Sequence, residues 1–205
     1  MSEHQCKIGV LVSGRGTNLQ SLIDASREGR MAAEVSVVVS NRANAPALDR
    51  AKKAGIPGFV VNAVKGETKE AFEKQIGEIF NRHGVNLVVL AGFMRIVSPW
   101  LISRFKNRII NIHPALLPSF PGLSAQKQAL EYGVRLSGCT VHFVDEGCDT
   151  GPIILQTAVP VLDTDTVESL SERILKEEHK LLPKAVDLLA KNKVKVTGRR
   201  VEILP

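Results

Sequence analysis

Short runs of apolar, mostly β-branched residues recur along this chain, each followed by a stretch whose apolar positions repeat at helical spacing. Lys7 to Val12, Val35 to Val39, Phe59 to Val61, Leu87 to Leu90 and Arg108 to Ile112 read as strands. Asn18 to Glu28, Ala45 to Ala54, Lys69 to Arg82 and Ala125 to Tyr132 read as helices. A strand that must be buried on both faces is apolar throughout, and a helix that covers it is apolar along one stripe. The alternation therefore predicts an α/β fold: a Rossmann-like, mostly parallel sheet with helices on both faces and right-handed crossovers. The rhythm changes after Tyr132. Gly138 to Val144 and Pro152 to Val161 are strand-like and separated by a short acidic loop, which predicts an antiparallel extension. Thr166 to Leu189 reads as one long helix capped by Asp165, with Pro183 expected to kink or split it. The tail from Val194 to Ile203 is β-prone around a glycine turn. With no repeat, low-complexity segment or long linker, residues 1–205 are expected to form a single domain.

In such sheets ligands bind at the C-terminal ends of the strands. Asn111 and His113 close the 108–112 strand, two residues apart and so on one face. An amide donor beside a titratable donor is what a developing oxyanion needs. Pro114, Pro118 and Pro121 then restrict the loop that follows, and the stretch reads as a catalytic centre.

Three other stretches offer chemistry. Ser13-Gly14-Arg15-Gly16-Thr17-Asn18 joins the first strand to a helix, where backbone amides and the hydroxyls of Ser13 and Thr17 suit a monophosphate. It is neither a dinucleotide fingerprint nor a P-loop, and a plain glycine turn with Thr17 or Asn18 as helix cap explains it equally. Leu90 to Pro99 follows the most apolar strand and could hold a flat ring; the plain reading makes Ser98 an N-cap with Pro99 at the first helical position. Asp145-Glu146-Gly147-Cys148-Asp149-Thr150-Gly151-Pro152 is a solvated turn, a cation site without the regular spacing of an EF-hand, or a loop that folds back on His113. In the last case a carboxylate would raise the imidazole pKa toward working pH. His4 and His83 read as solvated, His142 as packing, and Glu178-His179 as a surface pair with one side chain within reach of a ligand. Cys148 among carboxylates is a poor nucleophile.

Composition narrows the classes. A net charge of +6 suits anionic small molecules, but aromatics are only 4% and no basic block is interleaved with them, against a nucleic-acid partner. No apolar run is long enough to cross a membrane. Cys6, Cys139 and Cys148 form no metal-like spacing, and with a polar start at Met1 to Gln5 they fit a cytoplasmic protein.

Taken in order, Val12 to Gln20, Ala91 to Ile96, Asn111-Ile112-His113-Pro114, Leu116-Leu117-Pro118, Asp149 to Pro152 and Glu178-His179 resemble the folate-dependent phosphoribosylglycinamide formyltransferases of purine synthesis. The resemblance spans nearly the whole chain. It implies the formyltransferase fold and transfer of a formyl group from 10-formyltetrahydrofolate, a co-substrate, to the amine of glycinamide ribonucleotide, with no metal. It implies a catalytic trio of Asn111, His113 and Asp149, and ribonucleotide contacts from Gly16, Thr17, Asn18 and Glu178. Folate contacts are implied for Lys69, Met94, Arg95, Ile96, Val97, Asn111, Asp145, Glu146 and Cys148. Lys69 stands where many members carry arginine, which keeps the charge and loses the bidentate fork; Ser124 stands where some carry histidine. The expected state is a monomer or weak homodimer.

Two related chemistries compete. Methionyl-tRNA formyltransferases share the Asn-x-His…Asp logic but usually carry a C-terminal domain, and formyltetrahydrofolate hydrolases usually carry an N-terminal one. A phosphate-ligand binding protein without turnover is the reading from another class.

Overall fold

The computed structural model describes residues 6–205; Met1 to Gln5, and with them the reading of His4 as solvated, lie outside the described residues. In chain order the elements are β1 (Cys6–Val12), α1 (Thr17–Arg27), β2 (Ala33–Ser40), α2 (Pro46–Lys53), β3 (Gly58–Val60), α3 (Lys69–Arg82), β4 (Leu87–Leu90), α4 (Pro99–Arg104) and β5 (Ile109–His113). There follow α5 (Ala125–Tyr132), β6 (Leu136–Phe143), β7 (Ile153–Pro160), α6 (Val167–Ala190), β8 (Val194–Thr197) and β9 (Arg200–Ile203). Seven strands form one sheet in the order β3-β2-β1-β4-β5-β6-β7, and β8 and β9 pair separately. The first five are parallel; β6 and β7 run antiparallel, as the change of rhythm predicts.

Alternation along the strands divides the core between the two faces. Ile8, Val10 and Val12 of β1 pack with Leu19, Leu22, Ala47, Leu170 and Ile174 of α1, α2 and α6. Leu11, with Val37 and Val39 of β2, packs on Phe72, Ile76 and Phe80 of α3 and Leu101 of α4. Gly9 points the same way, and a methyl there would lie 2.6 Å from the Phe80 ring. Phe72 and Phe80 are fully buried, each contributing about 2–3 kcal/mol of hydrophobic stabilisation.

On this second face the apolar side chains stop at Ile109 of β5. Asn111 and His113 continue its alternation, and β6 sets His142 opposite Asn111 and Thr140 opposite His113. A row of polar side chains thus replaces the helix-covered core, and the site opens there.

Three local expectations change. The cap of α6 is Thr166, in a reciprocal capping box with Ser169. Asp165 instead accepts from Leu162 N and Ser169 Oγ and pairs with Arg173. The helix continues through Pro183, which lies buried inside it. At α1 neither Thr17 nor Asn18 is the cap: Gly16 is, at φ +70°, with no side-chain cap bond. A methyl at Gly16 would come within 2.6 Å of Ala47 Cβ, so both conformation and space require glycine.

Candidate active site

Asp149 brings the predicted trio together. Its Oδ2 lies 3.3 Å from His113 Nδ1 and accepts from Gly122 N at 2.8 Å. Its Oδ1 accepts from Asn111 Nδ2 at 3.3 Å. The acidic loop folds back as one of its readings requires, and Gly151 permits this, because a Cβ there would fall on the Phe143 carbonyl. Asp149 itself takes the left-handed conformation at φ +55°, which aspartate tolerates better than most side chains.

The sequence reading of His142 as packing is corrected. Its Nε2 lies 3.2 Å from Asn111 Nδ2 and 3.5 Å from Asp149 Oδ1, while Nδ1 donates to the Phe143 carbonyl at 2.8 Å. Its Nε2 therefore accepts from Asn111. Both hydrogens of the Asn111 amide are engaged, one by His142 and one by Asp149. The second oxyanion donor is engaged as well, since His113 Nε2 donates to the Phe120 carbonyl at 2.8 Å. The donors are present, but held in a ring of protein contacts.

Burial alone would raise the Asp149 pKa. In acid, where both imidazoles are charged, a hydrogen bond from protonated His142, the Gly122 amide and the two imidazolium charges outweigh it and hold the carboxyl at about 2. Burial pushes His113 down; the Phe120 carbonyl and Asp149 pull it up, His142 adds to the lowering, and the net value lies below that of a free histidine. Asp149 thus acts with the expected sign but does not bring the imidazole pKa above its ordinary value. Only a few per cent of His113 is exposed, and desolvation wins.

The trio lies in the wall of a cavity of about 510 Å³. Met94, Arg95, Ile96 and Val97 line it, as do Asp145, Cys148 and Ser124, with Leu90 and Val144 adding apolar surface. The Arg95 guanidinium stacks 4.5 Å from the centre of the Phe72 ring. The two remaining folate candidates stand apart from the lining: Lys69 is the exposed first residue of α3, and Glu146 is exposed on its loop. Burial and the adjacent Asp149 carboxylate push the Cys148 thiol up, as its acidic neighbours imply. Asp145 turns inward on its own loop, accepting from Thr150 Oγ and Gly147 N. Among the described residues no three or more His, Cys, Asp or Glu side chains gather as metal ligands would.

The glycine loop lies outside the lining of that cavity. Gly16, Thr17 and Asn18 open α1, leaving its first amides without a side-chain cap. Asn18 Nδ2 donates to Glu178 Oε2 at 2.8 Å, which ties α1 to α6 and makes Glu178 a buried group rather than a surface one. Burial raises the Glu178 pKa and the Asn18 bond offsets part of the rise. Among the described residues the buried Asn18 Oδ1 has no hydrogen-bond partner. The expectation that the Ser13 hydroxyl serves an anion fails: Ser13 Oγ donates to Asn41 Oδ1 at 2.6 Å and accepts from Met94 N at 2.9 Å. Ser98 does cap α4 ahead of Pro99, and its own amide is held by the buried Glu73 carboxylate at 2.9 Å.

An amide and an imidazole at the C-terminal end of a parallel strand, met by an ionised carboxylate from the β6–β7 loop beside a mostly apolar cavity, are the equipment of an acyl-group transferase. The chain belongs to the formyl transferase family, whose model matches residues 6–186. Within it the chain is similar to the phosphoribosylglycinamide formyltransferase of Escherichia coli (strain K12), at 40% identity over 189 residues, 92% of this chain and 89% of that one. The crystal structure of glycinamide ribonucleotide transformylase 1 from Symbiobacterium toebii matches with a TM-score of 0.97 at 51% identity, covering 100% of this chain and 96% of that one. The trifunctional purine biosynthetic protein adenosine-3 of Chironomus tentans is 47% identical over 195 residues, 94% of this chain. The chain spans only 14% of the length of that insect protein.

Proposed function

We propose that residues 1–205 form one formyltransferase domain that moves the formyl group of 10-formyltetrahydrofolate to the amine of glycinamide ribonucleotide in purine biosynthesis. One observation carries the reading: Asp149 lies within reach of both Asn111 and His113, so three side chains distant in sequence converge at one mouth of the cavity. The apolar surface of Leu90, Ile96, Val97 and Val144 suits a flat folate ring. Gly16, Thr17 and Asn18 suit the ribonucleotide phosphate, and the buried Glu178 a polar group beside it. Lys69 meets the carboxylates of the folate tail beyond the cavity lining. Asp145, Glu146 and Cys148 form the loop that borders the ring.

The bound folate supplies a formyl carbon open to attack. As the acceptor nitrogen adds to that carbon, the carbonyl electron pair moves onto oxygen. Asn111 and His113 stabilise that charge by turning onto the oxygen the donors now held by Asp149 and the Phe120 carbonyl, while His142 keeps the other hydrogen of the Asn111 amide. Asp149, ionised far below neutral pH, cannot supply a proton; it orients both donors and favours a charged His113. The pair on oxygen then returns, the bond between the formyl carbon and the folate nitrogen breaks, and that nitrogen gains the proton the acceptor nitrogen loses, so the step needs no external acid. His113, its ring nitrogens set between the Phe120 carbonyl and the Asp149 carboxylate, carries the proton from one nitrogen to the other. An oxyanion donor contributes about 3 kcal/mol of barrier lowering, less what releasing its resting partner costs.

The working partners in this reading are small molecules, in the cytoplasm, with the protein monomeric or weakly dimeric. No helix among the described residues is long and apolar enough to cross a membrane. Incubation with formyl-folate and glycinamide ribonucleotide, beside reactions with methionyl-tRNA and with no acceptor, tests the assignment. Formylated ribonucleotide supports it. Turnover only on tRNA, or only formate release, assigns the site to one of the competing chemistries, and binding without turnover makes the chain a binding module.

A further inference from the structure

One hydroxyl sits between the two proposed substrate loops. Ser13 follows β1 directly and is only 3% exposed. Its backbone N donates to the Gly92 carbonyl at 3.1 Å and its Oγ accepts from Met94 N at 2.9 Å, so it grips the cavity loop on both sides of Phe93. The single hydroxyl hydrogen is committed to Asn41 Oδ1 at 2.6 Å, just past the end of β2, which fixes the rotamer. Three residues on is Gly16. The peptides between are pinned as well: Ala47 N donates to the Gly14 carbonyl at 3.2 Å, and Arg50 Nε donates to the Arg15 carbonyl at 2.8 Å. A segment held this closely has little slack with which to absorb a displacement at either end.

We infer that Ser13 is a positioning residue that couples the ribonucleotide loop, 14–18, to the folate loop, 92–97, so that filling one orders the other. The inference rests on the assignment of these loops under the proposed function. A hydroxyl that only filled a buried gap would affect folding stability and leave the two sites independent. A coupling hydroxyl makes the dependence reciprocal, because each ligand must alter the affinity of the other by one and the same factor.

The experiment is amide hydrogen exchange with the full chain, together with titration by tetrahydrofolate, which carries no formyl group to transfer. In the wild type, glycinamide ribonucleotide alone slows exchange at residues 92–97 and tightens tetrahydrofolate about fivefold or more. In Ser13→Ala the ribonucleotide still protects residues 16–18, but protection at 92–97 and the gain in folate affinity disappear. Asn41→Ala leaves the Ser13 hydrogen without its anchor and weakens both effects; it serves where Ser13→Ala does not fold. Cross-protection that persists in a folded variant overturns the inference. So does its absence in a wild type whose residues 16–18 are protected. A ribonucleotide that neither protects residues 16–18 nor accepts a formyl group removes the acceptor assignment itself, which is a separate result.

Discussion

Asn111 Nδ2 and His142 Nε2 lie 3.2 Å apart across the β5–β6 pair, in residues that the antiparallel register sets directly opposite each other. His142 is therefore the acceptor that turns the Asn111 amide toward the cavity wall. Replacing it with phenylalanine keeps most of the volume and removes that acceptor. His142→Phe is expected to lower kcat by about one to two orders of magnitude, on the scale of a lost orienting partner. Steady-state kinetics on the purified variant, with circular dichroism as a check on folding, gives the answer; an unchanged kcat would detach His142 from the chemistry.

The donors themselves should cost more. Asn111→Ala removes one oxyanion contact and is expected to reduce kcat about 100- to 1,000-fold. His113→Ala removes a donor and the proton carrier together, and transfer should fall to background. Neither side chain touches Gly16, Thr17 or Asn18, so ribonucleotide affinity measured by calorimetry should be nearly unchanged in both. Loss of ribonucleotide binding in either variant would contradict the separation of the two sites.

Asp149 raises the His113 pKa even though burial keeps the net value below that of free histidine. Asp149→Asn should therefore lower it further, read as a midpoint moved to lower pH in an NMR titration of the imidazole protons. A midpoint that stays in place would show that the carboxylate and the imidazole are not electrostatically coupled.

Glu178 is buried, and its pKa is raised because desolvation penalises its charge. Such a group costs stability above its unfolded pKa. Glu178→Gln removes the charge, keeps an acceptor for Asn18 Nδ2 and adds an amide that can reach the unpartnered Asn18 Oδ1. The variant should melt higher, by about 3 °C for about 1 kcal/mol in a chain of this size, while its KM for ribonucleotide rises. A lower Tm would mean that the ionised carboxylate contributes net stability where it stands.

Acid should weaken the fold in two steps. His113 has a folded pKa below its unfolded value near 6.5, so its stabilising contribution is full above that value and is lost as pH falls through the depressed one. Asp149, lowered from 3.8 to about 2, contributes about 2 kcal/mol above pH 4, and this is lost as pH falls toward 2. Urea unfolding across pH 7 to 2 should show the midpoint falling first in the histidine range. In Asp149→Asn the second step should shrink. A flat midpoint between pH 7 and 5 would count against the depressed imidazole.

The parallel half of the fold was legible because two periods alternate cleanly: α3 and β4 end where their apolar patterns end. The six residues of α4 are too few to show a period, and only Ser98 and Pro99 announce it. Asn111, His113 and Asp149 were readable through their order along the chain. His142 was not, because register between β5 and β6 is set by strands more than twenty residues apart and is written in neither alone. Ser13 misled for a related reason: a hydroxyl in a glycine turn looks free until the Asn41 and Met94 groups that occupy it come in from β2 and β4. The net pKa of His113 depends on how much water the fold removes, which no spacing of residues encodes.

In the sheet order, β1 carries the loop assigned to the acceptor and its neighbour β4 carries the loop assigned to the donor, with the reacting groups one strand further along on β5 and β6. A different acceptor then asks for changes after β1 and on the facing turn of α6, at a distance from the donor cavity.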